Sequence, residues 1–341
     1  MTARYLVDVP GPLRRHFDVA LTDLDGVLFR GNRPVADAAD AVAEARRDGL
    51  RFVFITNNAS RPPQVAAAKL GSVRIPAERE DIVTAAEAGV RLMARDVKPG
   101  SRVLVVGGNG LTEAVAKAGF KLATAALERP AAVIQGWSPT LAWRDLEEAC
   151  YAIEAGAAYY ATNLDKSIPT EFGFAPGNGA LVQAVVVTTG VRPKASGKPD
   201  PLIFRLAAER GQAVNPLVIG DRLDTDVAGA NNAGYAGLLV LTGVATAADA
   251  FVARPAERPG LIARDLKALA EPHRAPVRRG DRWDCGRARA WVDGNRLVVE
   301  DPDAGPAGPT NEVVRAAAAA AWAAADQGVI IERDSIPPQF S

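Results

Sequence analysis

The stretch LTDLDGVLFR, residues 21–30, carries two aspartates, Asp23 and Asp25, at the end of an apolar segment. Two carboxylates this close repel each other unless a cation or a shared proton lies between them. The segment DVALTD (18–23) is apolar and consists largely of residues that favour strands, so it predicts a buried strand ending at Asp23. The end of a buried strand does not require either charged residue, so the Asp23–Asp25 pair indicates a chemical role.

The next residues complete a strand–helix–strand unit. DAADAVAEARRDG (37–49) has a helical pattern with Gly49 as its stop, and RFVFIT (51–56) is the next predicted strand. Such a unit predicts a parallel sheet with helices on its faces. Because open parallel sheets bind ligands at their carboxyl edge, Asp23 and Thr56 are expected at a functional edge.

The alternation of strands and helices then starts afresh in a second region. RVLVVGGNG (102–110) predicts a strand and a glycine turn, AAVIQG (131–136) and AYYATN (158–163) predict further strands, and a helix is expected over 140–156. Residues suited to the same chemistry as those of the first region reappear only at Lys198 and Asp221. The fold class is therefore doubly wound α/β, with a core of residues 1–80 and 188–272 and an α/β domain of residues 81–187 inserted into it.

The composition and pattern of the sequence change from about residue 273. EPHRAPVRRGDR (271–282) is expected to be a linker, RARAWVDGNRLVVE (287–300) a hairpin turning at 293–295, and NEVVRAAAAAAWAAADQG (311–328) a helix. Residues 273–341 are therefore expected to form a small α+β extension, whose simplest role is to cover a sheet edge.

Composition limits the function classes. Forty basic residues balance forty acidic ones, so charge gives no argument for a nucleic acid or a membrane surface as partner. The sequence has no spanning apolar run and no signal-peptide core at its start, which predicts a cytoplasmic protein. The two cysteines, Cys150 and Cys285, match no metal-binding spacing and are expected to be structural thiols.

Acids, a hydroxyl and a lysine at strand or loop ends suit phosphoryl transfer. A phosphate ester repels an anionic nucleophile, so a divalent cation has to neutralise both. Magnesium prefers oxygen ligands and keeps several waters, so the Asp23 and Asp221 carboxylates and the Asp25 backbone carbonyl are enough. Asp23 is then the nucleophile, while the Asp25 side chain protonates the leaving alkoxide and later activates water. Gly26 permits a sharp turn behind the pair.

The remaining polar residues have supporting roles. Thr56 is expected to hydrogen-bond a phosphoryl oxygen, and Lys198 to hold the nucleophile and the phosphate by its charge. Asp226 is expected to lie next to the direct metal ligands without being one of them, and to orient Lys198 or a metal-bound water. A phosphoenzyme on Asp23 divides the hydrolysis into two easier steps. Each residue alone also fits a turn, a cap or a surface loop; their joint occurrence in this order favours catalysis in a single pocket.

These residues resemble the four signature motifs of the haloacid dehalogenase superfamily. The long insertion resembles the α/β C2-type cap of its subclass II, which includes NagD-like nucleotide, pyridoxal, phosphoglycolate and glycerol-3-phosphate phosphatases. Leu164, where many relatives carry proline, departs from the pattern, and the segment from 273 onward has no counterpart in it. The motifs are Asp23-Leu24-Asp25-Gly26-Val27, Thr56-Asn57-Asn58, Lys198, and GDRLDTD at 220–226.

The resemblance implies a Mg²⁺-dependent phosphomonoesterase. By that resemblance Asp23, Asp25 and Asp221 bind the metal, and the transferring phosphate is bound by Thr56, Asn57, Asn58 and Lys198. ATNLD (161–165) and GNGA (177–180) resemble loops of the cap, which makes Asn163, Asp165 and the glycine turn candidates for facing the leaving group. Ordinary loop capping is the alternative for these cap residues.

The substrate is expected to be a small phosphorylated metabolite, because a cap closing over the site restricts the leaving group. Family precedent favours glycerol 3-phosphate or 2-phosphoglycolate, with a nucleotide or pyridoxal 5′-phosphate as the alternative. A homo-oligomer is compatible with the sequence.

Two rival functions use similar residues. A non-enzymatic receiver domain also combines acids, a hydroxyl and a lysine, but it has neither an acid/base at the Asp25 position nor a long insertion. A phosphomutase of the same superfamily usually carries a helical cap between the first two motifs, for which the residues between Asp25 and Thr56 leave no room.

Overall fold

The structure, a computed structural model, describes residues 5–170, 172–306 and 308–340. The strands are β1 (Val19–Asp23), β2 (Phe29–Arg30), β3 (Arg33–Pro34), β4 (Arg51–Thr56), β5 (Ile82–Thr84), β6 (Arg102–Val106), β7 (Lys121–Ala123), β8 (Ala132–Gln135), β9 (Ala158–Ala161), β10 (Ser167–Thr170), β11 (Gly173–Pro176), β12 (Lys194–Ala195), β13 (Pro216–Gly220), β14 (Ala236–Val240), β15 (Leu261–Ala263), β16 (Val277–Arg279), β17 (Arg282–Cys285), β18 (Ala288–Asp293) and β19 (Arg296–Glu300). The α-helices are α1 (Leu13–His16), α2 (Ala38–Arg47), α3 (Pro63–Ser72), α4 (Ala85–Met93), α5 (Asn109–Lys117), α6 (Trp143–Glu154), α7 (Asn178–Thr189), α8 (Pro201–Gly211), α9 (Ala228–Ala233), α10 (Ala247–Phe251) and α11 (Asn311–Ala325).

The chain divides into two compact units. The first comprises the chain up to residue 53, residues 73–75 and the chain from residue 211 onward, and the second comprises residues 54–72 and 76–210. The core and cap boundaries expected from the sequence, at residues 80 and 188, stay a prediction. Among the described residues, no helix combines the length and the apolarity needed to cross a membrane.

The first unit is built on a parallel sheet with the strand order β15-β14-β13-β1-β4. The apolar sequences of β1 and β13 account for their central place, because every residue of β13 and the first four of β1 are buried. β1 pairs with β13 from Val19↔Pro216 to Thr22↔Ile219. One further step in this register sets Asp23 beside Gly220, so Asp23 and Asp221 emerge at the same edge. The predicted α/β class is confirmed.

The C-terminal part of the first unit is an antiparallel sheet in the order β16-β17-β18-β19, against which α11 packs. The predicted hairpin is β18–β19 and the predicted helix is α11. The linker prediction for 271–282 was wrong in part, because β16 and the start of β17 lie there, joined at a turn where Gly280 has φ +68°. β16 is exposed and rich in arginine, so it lacks the alternation of apolar and polar residues that marks a strand.

The second unit contains a parallel sheet in the order β12-β9-β8-β6-β7 and a hairpin, β10–β11. Within this unit the last three residues of β4 pair in parallel with β5. The predicted strands at β6, β8 and β9 and the helix at α6 are present. α4 starts with a capping box, in which the Glu87 N–H donates to the Thr84 hydroxyl and the Thr84 N–H donates to the Glu87 carboxylate.

Candidate active site

Three aspartates of the first unit lie together at the carboxyl edge of its sheet. Asp23 is the last residue of β1, Asp221 directly follows β13, and Asp226 lies on a turn of π-helix over Leu223–Val227 that precedes α9. Carboxylate oxygens of the three all lie within 4.8 Å of one another. Asp221 and Asp226 are only 1% and 2% exposed, so their mutual repulsion is poorly screened by water. The three carboxylates together therefore favour the binding of a cation.

Three glycines make room for the buried carboxylates. A Cβ at Gly26 or at Gly243 would overlap the Asp221 carboxylate, and a Cβ at Gly220 would overlap the Asp226 carboxylate. Gly26 also has φ +86°, a left-handed conformation that favours glycine. Each of these positions therefore requires a residue without a side chain.

Backbone donors fix the direction of these carboxylates. The Val244 N–H donates to Asp221 Oδ2 at 2.7 Å, and the Ala245 N–H donates to the Asp221 carbonyl oxygen at 3.0 Å. The Arg222 N–H donates to Asp226 Oδ2 at 3.1 Å. The loop after β14 was not identified from the sequence as part of the site. The available signal was a threonine and a glycine at the carboxyl end of a parallel strand.

A hydrogen bond also joins the loop that follows Asp23 to the loop after β14. The Thr242 hydroxyl donates to the Gly26 carbonyl oxygen at 2.7 Å. Asp25, in contrast, is exposed, and its carboxylate is not part of the triad. That exposure suits a side chain that exchanges protons with a leaving group and with water.

The donor set fits magnesium. Hard carboxylate oxygens from Asp23 and Asp221 are the ligands that Mg²⁺ prefers, and burial strengthens their attraction for a cation. From the sequence, Asp226 was expected outside the direct metal ligands; in the structure its carboxylate lies in the same cluster as those of Asp23 and Asp221. The backbone carbonyl of Asp25 stays the expected further oxygen.

In the second unit, Thr56 and Asn58 organise the loop after β4. The Asn58 N–H donates to Thr56 Oγ1 at 3.1 Å, and Asn58 Oδ1 accepts bonds from both the N–H and the hydroxyl of Ser60 at 2.8 Å. Because Thr56 Oγ1 is an acceptor in this bond, its own proton can be donated to a phosphoryl oxygen.

The Asn57 side chain connects three segments of the second unit. Its Oδ1 accepts from the Lys198 N–H at 2.8 Å, and its amide nitrogen donates to the Lys198 carbonyl at 3.3 Å and to both Asp165 oxygens at 3.1 Å. Asn163 Nδ2 donates to the Asn57 carbonyl at 2.8 Å. Lys198 itself is 6% exposed. The Asn57 amide therefore holds the backbone that carries Lys198.

The predicted cap residues lie in the same cluster. The Asp165 N–H donates to Asn163 Oδ1 at 3.2 Å, and Asn178 Nδ2 donates to the Asn163 carbonyl at 2.8 Å. A Cβ at Gly177 or Gly179 would collide with the 164–165 backbone, which explains the glycine turn. Thus the structure groups Asp23 with Asp221 and Asp226, and Asn57 with Lys198, Asn163 and Asp165. The meeting of both groups in one pocket stays a prediction.

Two family models match the chain. One, described as haloacid dehalogenase-like hydrolase, matches residues 20–121, and the other, described as HAD-hydrolase-like, matches residues 195–269. Among curated proteins, D-glycerol 3-phosphate phosphatase of Mycobacterium tuberculosis is 41% identical over 318 residues, covering 92% of this chain and 88% of that protein. The 5′-nucleotidase YutF of Bacillus subtilis is 37% identical over 226 residues, covering 66% and 87%.

Solved structures agree with these matches. The crystal structure of glycerol phosphate phosphatase from Mycobacterium tuberculosis in complex with magnesium matches with a TM-score of 0.82 at 39% identity, covering 93% of each chain. A double mutant of a thermostable NPPase from Geobacillus stearothermophilus matches with a TM-score of 0.67 at 32% identity, covering 73% of this chain and 96% of that one. The acidic triad and the similarity to these relatives show that the chain belongs to the haloacid dehalogenase-like hydrolase family.

Proposed function

We propose that this protein is a Mg²⁺-dependent phosphomonoesterase that hydrolyses glycerol 3-phosphate, with 2-phosphoglycolate as the second candidate substrate. The observation that carries the chemistry is the cluster of the Asp23, Asp221 and Asp226 carboxylates at one sheet edge. The substrate rests on the 41% identity to a D-glycerol 3-phosphate phosphatase over most of both chains.

The proposed chemistry divides the hydrolysis into two displacements. Asp23 attacks phosphorus and forms an aspartyl-phosphate, while Asp25 gives its proton to the leaving alkoxide. Asp25 then takes a proton from water, which attacks the phosphoenzyme and releases inorganic phosphate. Asp23 and Asp221 hold the metal, which when bound supplies positive charge against the phosphoryl oxygens.

The remaining roles are those of binding and selection. Thr56 donates its hydroxyl proton to a phosphoryl oxygen, and Lys198 balances the negative charge of the phosphate. The 81–187 domain selects the leaving group, while residues 1–80 and 188–272 carry the chemistry. The cytoplasmic location and the homo-oligomer stay predictions.

The test is a phosphate-release assay with Mg²⁺ across a panel of esters. The panel contains glycerol 3-phosphate, 2-phosphoglycolate, a 5′-nucleotide, pyridoxal 5′-phosphate and a sugar phosphate. We expect the highest kcat/KM for glycerol 3-phosphate, and no release from any ester after EDTA treatment until Mg²⁺ is restored. A preference for the 5′-nucleotide would favour the activity named for the Bacillus subtilis relative, and no release from any ester would overturn the proposal.

The nucleophile has its own control. Asp23→Asn removes the attacking charge with almost no change in volume, so we expect a folded protein without turnover. Full activity in this variant would remove Asp23 from the proposed role.

A further inference from the structure

The C-terminal module, residues 273–341, shares a core with the part of the chain that holds the metal ligands. Ten consecutive residues of α11, Val313 to Trp322, are buried. All of them except Arg315 belong to one apolar cluster with Val227, Leu239 and Phe251, which come from the catalytic core. A peripheral appendage would have a core of its own.

Three side chains from this module contact α10, the five-residue helix that follows the loop whose Val244 and Ala245 N–H groups donate to Asp221. The Trp322 indole N–H donates to the Ala250 carbonyl at 2.8 Å in a buried bond. The Phe340 ring packs edge-on against Phe251 with centroids 5.2 Å apart. The Arg333 guanidinium donates to Asp249 Oδ1.

The beginning of α10 is joined to Asp221 by the backbone. Asp249 and Thr246 form a capping box, with the Thr246 N–H donating to Asp249 Oδ2 at 2.9 Å and the Asp249 N–H donating to Thr246 Oγ1 at 3.2 Å. Directly before Thr246, the Val244 and Ala245 N–H groups donate to Asp221. Arg333 and the capping box therefore share the Asp249 carboxylate.

We propose that the C-terminal module positions the Asp221 carboxylate, acting through α10 and the 243–246 loop. A helix of five residues is unstable by itself, so its place is set by what packs on it. Groups that hydrogen-bond a metal ligand fix its orientation and are worth about 10- to 100-fold in metal affinity. Trp322 and Arg333 are thus positioning residues one step further from the metal. The inference rests on the metal role of Asp221 in the proposed function.

The test is the affinity of the folded protein for Mg²⁺, measured by calorimetry without substrate. Trp322→Phe removes the indole donor but keeps an aromatic ring, and Arg333→Gln removes a charge that lies at the surface. We expect the dissociation constant for Mg²⁺ to rise about 3- to 10-fold in the double variant, below the range for direct partners of a ligand. The rise in melting temperature on adding Mg²⁺ should shrink in parallel.

Matched controls come from the same module. Arg287→Gln removes the exposed ion pair with Asp303, and Leu297→Val trims a buried side chain on β19. Both are expected to bind Mg²⁺ as the parent does, even where Leu297→Val lowers the melting temperature as much as the double variant. A parental dissociation constant in the double variant, or an equal rise in the controls, would overturn the inference. Absence of phosphate release by a parent protein that binds Mg²⁺ would instead overturn the proposed function.

Discussion

Asp25 differs from its neighbours in exposure: its side chain faces solvent, while Asp221 and Asp226 are buried. A buried carboxylate attracts a cation, whereas an exposed one can exchange a proton with water and with a leaving group. The residue types in the two motifs are the same, so the proposed difference in role rests on the difference in burial.

Asp25→Asn is expected to slow turnover unequally among substrates. Alkyl phosphates need a proton on the leaving oxygen, while an aryl phosphate has a leaving group that is already acidic. We therefore expect a large loss of kcat on glycerol 3-phosphate and a small one on 4-nitrophenyl phosphate. An equal loss on both esters would count against the acid/base role.

Asn57→Ala is expected to loosen Lys198 and so weaken phosphate binding. The variant removes the bonds to the Lys198 backbone and to Asp165. A loss of about 10- to 100-fold in kcat/KM corresponds to roughly 1–3 kcal/mol, the usual effect of leaving such groups unpaired. Asn231→Ala, which removes bonds to two carbonyls near residue 257, is the control and should affect stability alone. Unchanged kinetics in Asn57→Ala would refute the positioning role.

His273 is expected to make the fold sensitive to acid. Burial, with the nearby Arg315 charge second, lowers the pKa of His273 to about 3. The Ile262 N–H donates to its Nε2, which therefore carries no proton, and its Nδ1 pairs with the Val7 carbonyl. Between pH 6.5 and 3 the unfolded chain binds a proton that the folded one excludes, so stability is complete above pH 6.5 and falls as pH falls.

The size of this effect can be measured by denaturant unfolding. We expect a loss of about 2 kcal/mol between pH 7 and pH 5, at 1.4 kcal/mol per pH unit below 6.5. His273→Gln should flatten the dependence. The other histidine, His16, is exposed, and His16→Gln is the matched control. Identical slopes in parent and His273→Gln would contradict the assignment.

At the scale of elements, short loops after strands do most of the positioning. The loop after β14 supplies the N–H groups that hold Asp221, and the π-turn after β13 carries Asp226. The ends of the strands determine where these loops begin. The close packing of backbone against the Asp221 and Asp226 carboxylates, in contrast, depends on glycines, because a Cβ at those positions would overlap the carboxylates. Gly243 shows this most directly, because its φ is ordinary and space alone excludes a side chain.

Gly243→Ala is expected to displace the Asp221 carboxylate and weaken Mg²⁺ binding. We expect at least about a tenfold rise in the dissociation constant, the lower end for disturbing a ligand's partners. Gly71→Ala in α3 is the control: nothing lies near its added Cβ, and alanine favours a helix by about 1 kcal/mol. Parental metal affinity in Gly243→Ala, measured by calorimetry, would contradict the site geometry.

At the scale of the molecule, the C-terminal module belongs to the core of the first unit. The Arg258 guanidinium, 4% exposed, lies 5.5 Å from the Trp322 ring and pairs with Asp326. His273, at the start of the module, exchanges backbone hydrogen bonds with Val9. From the sequence, this segment was expected to cover a sheet edge, and that role stays a prediction; in the structure its helix α11 is part of the apolar core.

A chain ending at residue 272 is therefore expected not to fold. It loses α11 and exposes the apolar surface around Phe251 and Ile262 that α11 buries. Burial of one large apolar side chain is worth about 1.5–3 kcal/mol, and several are lost together. Circular dichroism should show no cooperative melting transition. A transition near the parental temperature, with phosphatase activity, would show that the module is peripheral.

The sequence alone determined the α/β class, the central strands and the identity of the acidic residues, because apolar runs and their charged ends are local in the chain. It did not determine that Asp226 joins the triad, that Asn57 binds the Lys198 backbone, or that Trp322 donates to the Ala250 carbonyl of α10. Those contacts join residues that lie on different elements, and local periodicity carries no record of how such elements pack. Only the tertiary structure sets those distances, because side-chain packing and the room left by glycines decide them.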